Sequence, residues 1–549
     1  MSSRLHDGRM RITRAEGTGL PVRRARRRFG WPFWLGMVVA IVVAAALIIP
    51  RVIEEPLRRT LEADVNRQLK GYRVHIGGLD LQPLAFAIEL LDTRIEQEAH
   101  PKPAIADVPR FRASVQWRAI LSGSLVGDVL FDRPRLHVNL AQLQQEAKDK
   151  VEVKDRGWQA ALREIYPLEI NEFRVEDGAI TYLDTKDAKP IEVSDLDLVA
   201  TNVRNVWSPD RTYPSDIDLS AKLFGAGDLS VHGRADFLAE PHAGMKVRIA
   251  LDQVPLSRLE PATRHINASI RGGIISAKGE VEYAPKVKQA HLETASIDDL
   301  KADFLYAKAR TGDAEEVVDT VGQTVGDATK SPAVLIDVDE LRMRRSELGI
   351  QNRDADPNYR LYFAVNELAV RDFTNRPGGT RSRLDVDGRF MGKGPTRIRA
   401  SFLPNAKTPD LDLNVAIEKT PLVALNPVWK AHAGFDMNGG TFAFYTQLAV
   451  RNGRIDGYVK PLFVDVDVYD TDQDGDENVF QQVYEGVVGG VSEIFQDQPR
   501  DTIAARTDIS GPVSSPSAST LEILFSVLRN AFIDAILPGL ERQAGRAKG

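Results

Sequence analysis

The chain has 549 residues, of which 43% are hydrophobic and 27% charged, and its formal net charge is −6. This length exceeds one ordinary domain, and the composition excludes both a disordered tail and a protein wholly embedded in a membrane. The small net charge gives no general attraction to nucleic acid. The sequence contains no cysteine, which excludes disulfides, thiolate metal sites and thiol nucleophiles and suits an oxidising envelope compartment.

The first predicted element is a membrane anchor. Five arginines lie between Arg23 and Arg28, and the 19 residues of segment 31–49 carry no charge. A helix of that length spans roughly 28 Å, close to the ~30 Å hydrocarbon core of a bilayer. Trp31 and Trp34 are candidates for the membrane interface on the basic side.

The arginines also predict the topology of the chain. By the positive-inside rule, a basic tail over residues 1–30 stays in the cytoplasm, and everything after Arg51 lies on the other side of the membrane. A cleaved signal peptide is the alternative. Its small-residue cleavage motif would fall at residues 44–46, inside the apolar run, so the sequence favours an anchor that is retained.

An amphipathic helix and a first group of strands follow the anchor. Segment 50–71 has a helical stripe of apolar residues, which are Val52, Ile53, Leu57, Leu61, Val65 and Leu69. The apolar period then changes to two, which predicts a first β unit over 72–140 with turns at Gly77-Gly78 and Gln82-Pro83. A polar stretch over 141–166 predicts a helical connector.

An internal repeat is the most informative pattern. The runs "VRIALDQVPLSRLEP" and "LNVAIEKTPLVALNP" share the pattern acid-x-x-Pro-Leu-x-x-Leu-x-Pro, and Pro421 lies 166 residues after Pro255. We interpret the chain as two copies of one β-rich module, over 167–310 and 334–470, separated by a polar insertion over 311–333.

Each copy predicts antiparallel strands with one apolar and one polar face, which suits a sheet covered on one side only. An apolar face of this kind must fold on itself, pair with another face or bind acyl chains. Its residues are therefore candidates for the wall of a lipid groove, and the alternative is the packed core of a closed β-sandwich or barrel. The candidates are Leu219, Leu223, Leu229, Val231, Phe237, Val247, Ile249, Leu251, Leu384, Val386, Phe390, Ile398, Phe402, Leu411, Leu413, Val415, Ile417, Phe442, Phe444, Leu448 and Val450.

The C-terminal part predicts an acidic turn with a helix over 471–499 and a segment with an apolar helix over 500–549. The apolar helix is expected to cap the sheet or to lie on a membrane surface. The turn resembles part of a calcium loop, but Gln481 occupies the position that needs a bidentate Glu, so a solvated turn is favoured over a metal site. The weak metal candidates are Asp470, Asp472, Asp474 and Asp476.

The sequence predicts neither catalytic residues nor a cofactor. The nine histidines form no HExxH, HxxH or HxH pattern, and there is no GxSxG motif. We therefore expect a protein that is not an enzyme. A hydrolase whose acid and base residues come from distant parts of the chain is the enzyme alternative.

The order of anchor, amphipathic helix and the run "GYRVHIGGLDLQPLAFAIELLDTRI" resembles the AsmA-like family of bacterial envelope proteins, in a branch catalogued as a domain of unknown function. The runs "DLDLNVAIEKTPLVALNPVWKAHAGFDMNGGTFAF" and "LRNAFIDAILPGLE" match as well, so the resemblance covers most of residues 31–541. The resemblance implies long curved sheets that form a groove, as in the chorein-like bridge lipid-transfer relatives. It also implies a role in moving phospholipid between the inner and outer membranes or in maintaining the outer membrane, and it brings no catalytic residues.

Together these observations predict a mainly β protein with a single N-terminal transmembrane helix, followed by long curved antiparallel sheets forming a groove, with a few amphipathic helices. The expected location is the bacterial inner membrane, with a cytoplasmic N-terminus and a periplasmic body. The expected partners are the inner membrane, phospholipid acyl chains and other envelope proteins, but not nucleic acid. The alternative function is a non-catalytic envelope scaffold or assembly factor that binds partner proteins.

Overall fold

The computed structural model describes residues 37, 51–67, 69–115, 126–139, 169–183, 190–203, 212–237, 243–259, 268–306, 334–353, 355–406, 408–433, 436–469, 502–504 and 506–512. Strands make up 72% of these residues, and all of them join into one 23-stranded sheet. The prediction of a mainly β fold is confirmed.

Several sequence predictions fall outside the described residues. They are the basic tail over 1–30, all of the anchor over 31–49 except residue 37, the connector over 141–166, the insertion over 311–333, the acidic turn and helix over 471–499, and most of segment 500–549. Within the ranges that the structure describes, no helix is long and apolar enough to cross a membrane.

The strands follow one another closely along the chain. Their bounds are β1 Tyr72–Gln82, β2 Ala87–Gln97, β3 Ala106–Val115, β4 Val126–Asp132, β5 Arg135–Asn139, β6 Glu169–Leu183, β7 Ile191–Val203, β8 Ser215–Leu223, β9 Gly227–Asp236, β10 Gly244–Pro255, β11 Ala268–Ile270, β12 Ile274–Ala284, β13 Val287–Asp298, β14 Lys301–Tyr306, β15 Leu335–Asn352, β16 Tyr359–Thr374, β17 Ser382–Phe390, β18 Gly394–Phe402, β19 Leu411–Pro421, β20 Asp436–Arg451, β21 Arg454–Tyr469, β22 Thr502–Ala504 and β23 Thr507–Pro512.

Helices are few among the described residues. Helix α1 covers residues 51–67, where the apolar stripe predicts a helix, and helix α2 covers Asn426–Ala433. Three short 3₁₀ turns cover Pro83–Ala85, Leu256–Leu259 and Leu422–Leu425.

The sheet is largely antiparallel, as the sequence predicts, but it is mixed and contains parallel pairs as well. Most neighbouring strands pair antiparallel, but β4 and β5 pair parallel with β6, and β13 and β14 pair parallel with β15. Each parallel pair is joined by a long connection, over residues 140–168 or 307–333. Parallel neighbours need such a connection because the chain must return along the length of the strand before it pairs again. Apolar residues alternate in the same way in parallel and in antiparallel strands, so this pattern does not distinguish the two kinds of pairing.

The turn predicted at Gly77-Gly78 is also wrong, because β1 runs through both glycines. A Cβ atom at Gly77 would lie 2.9 Å from the Cβ atom of Asp92 on β2. Asp92 has a left-handed backbone, with φ of 49°. Glycine is needed here for the close approach of two strands at an irregular pair, and not for a change of direction.

The two sequence copies fold into the same series of elements. Strands β8, β9 and β10 with the 3₁₀ turn Leu256–Leu259 correspond to β17, β18 and β19 with the turn Leu422–Leu425. Rare backbone conformations repeat too: Gly273 and Gly440 both have φ of 98°. Further left-handed residues occur in matching pairs, namely Phe224 with Met391, Gln253 with Lys419, and Asp299 with Asp465.

The largest hydrophobic core lies in the second copy. It contains residues of β17 to β21 together with Leu422 and Leu425, which have 0% exposure, and Trp429 of α2, which is 2% exposed. Helix α2 contacts both β16 and β20. These strands are four steps apart, about 19 Å along a flat sheet, so the sheet must curl for one short helix to reach both.

Helix α1 closes the first edge of the sheet. The side-chain amide of Asn66 donates to the Val74 carbonyl at 2.8 Å and accepts from the Val74 N–H at 2.7 Å. Ile76 lies two residues further along β1. Its carbonyl accepts a hydrogen bond from the Arg58 side chain at 2.6 Å, and its N–H donates one to the Glu62 side chain at 3.0 Å. These side chains replace a neighbouring strand, so α1 blocks an edge that would otherwise pair with another chain.

We predict that Gly440→Ala destabilises the protein much more than Gly453→Ala. Both glycines have positive φ, but a Cβ atom at Gly440 would lie 2.6 Å from the Asp465 carbonyl, whereas Gly453 has no atom within 4 Å of that position. The expected losses are about 1–2 kcal/mol for Gly453→Ala and at least about 3 kcal/mol for Gly440→Ala. Thermal unfolding of the detergent-solubilised chain, followed by circular dichroism, measures both, and equal losses would contradict the packing described for Gly440.

We predict that Asn66→Leu lowers the free energy of unfolding by about 1–3 kcal/mol, because it leaves the backbone N–H and carbonyl of Val74 without partners. The control is Asn366→Leu, which removes an exposed bond between the Asn366 side chain and Asp387. Analytical ultracentrifugation should also detect self-association of Asn66→Leu, since β1 then has a free edge. A monomeric variant of unchanged stability would show that α1 does not protect this edge.

Candidate functional site

Strand pairing places one apolar face across almost the whole sheet. Cross-strand partners lie on the same face, so rows of partners can be followed from strand to strand. One row is Leu79, Leu90, Phe111, Phe131, Val175, Leu198, Leu219, Val231, Ile249, Gly279, Leu292, Val338 and Phe373. A second row is Val254, Ile275, Ile297, Met343, Leu368, Val386, Ile398, Val415, Thr446 and Val459.

The apolar face is continuous through the parallel pairs. The rings of Phe111 on β3 and Phe131 on β4 have centroids 4.9 Å apart, and Phe131 lies 5.5 Å from Phe173 on β6. The first β unit and the first copy therefore present one joined apolar surface.

The opposite face is polar and carries cross-strand ion pairs. Examples are Asp216 with Arg234 at 3.2 Å, Asp218 with His232 at 2.7 Å, and Asp107 with Arg94 at 2.8 Å. Exposed pairs of this kind contribute about 0–1 kcal/mol each, so their main effect is to keep this face in water.

A cavity of about 850 Å³ lies on the second copy, and more of its described lining residues are charged or polar than apolar, although Leu384, Leu413 and Leu448 are among them. Arg506, for example, pairs with Asp508 at 3.1 Å and lies 4.5 Å from the ring centre of Tyr458. Arg399 faces Asp385 at 3.9 Å. This depression therefore suits water better than hydrocarbon.

The two copies differ in how their apolar faces are covered. Val415 is 3% exposed and Ile417 5% exposed in the second copy, whereas the corresponding Ile249 and Leu251 are half-buried. The difference arises from the 3₁₀ turn that follows β10 in the first copy and β19 in the second copy. In the second copy it buries Leu422 and Leu425 and leads into α2, but the turn Leu256–Leu259 buries none of its residues.

The groove candidates therefore fall into two groups. Those of the second copy are buried or, for Leu384 and Ile398, half-buried against the main core: Leu384, Val386, Phe390, Ile398, Phe402, Leu411, Leu413, Val415, Ile417, Phe442, Phe444, Leu448 and Val450. Those of the first copy lie on the same face and, apart from buried Val247, are half-buried: Leu219, Leu223, Leu229, Val231, Ile249 and Leu251. Phe237 follows β9 and is 40% exposed.

The other candidates lie outside the described residues. These are Trp31 and Trp34 at the membrane interface and Asp470, Asp472, Asp474 and Asp476 in the acidic turn. In the part of the chain that the structure describes, no group of three or more His, Asp or Glu side chains is placed to hold a metal ion.

A second cavity, of about 630 Å³, lies where α1 meets the first strands, and its lining is mostly apolar. Its volume falls within the roughly 300–1,000 Å³ of small-molecule sites. The described residues that line it include Leu61 and Val65 of α1, Leu81, Phe86 and Ile88 of the first hairpin, and Phe111, Ala113, Val129 and Ile170. Of the described lining residues, Asp128 alone carries a charge, and its carboxylate accepts from the Asn171 side chain at 3.2 Å.

The stripe on α1 forms one wall of this cavity. Leu61 and Val65 pack against a small core made of Leu69, Tyr72, Val74 and Ile76. Charged side chains on the polar side of α1 pair with one another. Hydrogen bonds from Arg58 and Arg59 stabilise the Glu55 carboxylate and lower its pKa to about 2. The helix is thus amphipathic, with its charges turned from the cavity.

This cavity was not among the sites predicted from sequence. The alternation in 72–140 and the stripe on the helix were both visible, but nothing in either pattern shows that they face each other across a space. The signal that could have identified the site is their adjacency, because a helix directly before a two-faced strand often packs on its apolar side.

A scan against protein-family models and a search of curated proteins find no match for this chain. Its function is therefore inferred from the geometry of the apolar face and of the 630 Å³ cavity.

We predict that Ile417→Ala and Leu251→Ala, at corresponding positions of the two copies, differ in their effect on stability. Ile417 is 5% exposed in a packed core, so its truncation should cost about 2–5 kcal/mol. Leu251 is half-buried, and its truncation should cost no more than about half of that. Thermal unfolding followed by the fluorescence of buried Trp429 compares the two variants. Equal losses would indicate that the first copy is as closed as the second.

Proposed function

We propose that this chain is a membrane-anchored protein of the bacterial envelope, similar to AsmA-like proteins, that binds phospholipid acyl chains on its apolar face. It would pass phospholipid between the inner and outer membranes and so support the biogenesis or integrity of the outer membrane. The N-terminus lies in the cytoplasm and the β-rich body in the periplasm. The proposal involves neither a catalytic step nor a cofactor.

The observation that carries the proposal is the apolar cavity beside α1. It is lined by Leu61, Phe111 and Val129, has one charged lining residue among those described, and is large enough for part of an acyl chain. Burial of each methylene of such a chain contributes about 0.8 kcal/mol, so several methylenes are enough for stable binding.

The half-buried face of the first copy supports transfer beyond this cavity. The row that contains Phe111 continues through Val175 and Leu219 to Ile249. Where this row crosses the parallel pair β4 with β6, the pairing is regular from Asp128 to Asp132. A hydrocarbon chain bound at the cavity can therefore move along apolar side chains without crossing a polar strand.

The position of α1 in the chain also supports the proposal. The described part of helix α1 starts at residue 51, one proline after the uncharged segment 31–49, which is long enough to span a bilayer. The cavity is lined by α1, so it lies at the end of the body that is nearest to the proposed anchor.

A scaffold that binds partner proteins is the second candidate. It is favoured by the packed core of the second copy, in which Leu411 and Leu422 have 0% exposure and leave that part of the face closed to a ligand. This role would need only a stable body and its polar surface.

We predict that Ala113→Trp removes lipid from the purified protein. Ala113 is 5% exposed and lines the cavity, so a tryptophan there fills the space that an acyl chain would occupy. The control is Arg112→Trp, on the other face of the same strand. Native mass spectrometry of the full detergent-solubilised chain should detect a bound diacyl lipid in the natural protein and in Arg112→Trp, and several-fold less in Ala113→Trp.

Thermal unfolding of the same samples shows whether Ala113→Trp remains folded. If the natural protein carries no lipid after gentle solubilisation, or if folded Ala113→Trp retains as much lipid as the control, the proposed function is wrong. Specific crosslinks to envelope proteins, without lipid, would then favour the scaffold.

A further inference from the structure

Three large apolar side chains are exposed near the start of the described body. Val52 and Ile53 at the start of the described part of α1 are 70% and 45% exposed, and Phe86 after the first 3₁₀ turn is 51% exposed. Val52 and Phe86 are the most exposed large hydrophobic residues in the part of the chain that the structure describes. Such side chains gain nothing from contact with water.

These residues lie at one corner of the molecule. The Leu81 N–H at the end of β1 donates to the Glu54 side chain at 3.2 Å, which places the start of the described part of α1 beside the end of the strand. The turn Pro83–Ala85 and Phe86 follow almost directly. We call Val52, Ile53 and Phe86 the apolar corner.

The backbone of Phe86 is in a rare conformation. Its φ and ψ are 48° and 43°, in the left-handed region that disfavours bulky residues. Two hydrogen bonds hold it there: its N–H donates to the Pro83 carbonyl at 3.3 Å, and its carbonyl accepts from the Val115 N–H at 2.9 Å. The Phe86 ring is thus held on the surface by the backbone that ends this 3₁₀ turn.

The position of the corner in the chain indicates what covers it. Residue 51 follows the uncharged segment 31–49 with one proline between them, so Val52 and Ile53 lie within a few residues of the end of the proposed membrane helix. Arg51 is exposed on the same helix, where a lipid phosphate can pair with it. The bilayer proposed to hold segment 31–49 therefore lies close to these residues. Its acyl chains match the exposed apolar side chains, and its phosphates match the exposed arginine.

We propose that the apolar corner inserts into the interface of the bilayer that holds segment 31–49. Phe86 is also a lining residue of the 630 Å³ cavity. Insertion of the corner would therefore place that end of the cavity against the lipid, and the inference rests on the membrane anchor of the proposed function. A second copy of the chain or a partner protein is the competing occupant of the corner.

The absence of cysteine from the sequence allows a direct test with the full chain. A single cysteine is introduced by Phe86→Cys or Val52→Cys, labelled with an environment-sensitive fluorophore, and the chain is reconstituted in vesicles of phosphatidylethanolamine and phosphatidylglycerol. The control is Ile350→Cys, because Ile350 is 38% exposed on β15, far from α1 in the sheet order. Quenching by acyl-chain-brominated lipid and by aqueous iodide is then measured.

The proposal expects the labels at positions 86 and 52 to be quenched at least threefold more by brominated lipid than the label at position 350, and correspondingly less by iodide. Labels at 86 and 52 that are as open to iodide as the control would overturn it. Protection from iodide without bromine quenching would also overturn it, in favour of a protein occupant. This readout does not require lipid in the cavity. Insertion of the apolar corner can therefore be disproved while native mass spectrometry still finds bound lipid, and it can be supported while no bound lipid is found.

Discussion

The structure depends on keeping the apolar side chains of successive strands on one face. Side chains alternate with a period of two, so one extra residue in a strand would turn the rest of its apolar set toward water. The chain absorbs such residues at bulges with left-handed backbones. At Gln253 the pairing shifts between Leu251 and Val254, and both remain on the apolar face. Lys419 does the same between Ile417 and Thr420.

The same face serves two purposes along the chain. In the second copy it is sealed by Leu422, Leu425 and Trp429, and packing there supplies the largest core. In the first copy and the first β unit the face is less covered, and a cavity separates part of it from α1. A stable closed end and a more open end suit a protein that must hold its shape while it binds hydrocarbon. Ion pairs on the opposite face keep that side in water throughout.

Much of the local structure could be predicted from sequence, because alternation and the repeated Pro-Leu pattern depend on residues close in the chain. The apolar stripe predicts the helix at 51–67, and the alternation and the repeat predict the matching strands of the two copies. The parallel pairs could not be predicted, since alternation carries no direction. Nor could the contrast between Ile249 and Val415, because it arises from the segments that follow their strands. Gly77 was misread because a glycine at a close strand contact and one in a turn look alike in sequence.

The central claim is that the apolar face near α1 and in the first copy is open to hydrocarbon. The most direct measurement is photocrosslinking of the reconstituted full chain with a phospholipid that carries a diazirine in its acyl chain, followed by peptide mass spectrometry. The account predicts adducts on cavity residues such as Phe111 and on first-copy residues such as Leu219, with few on buried Leu413. Adducts confined to segment 31–49 would contradict it.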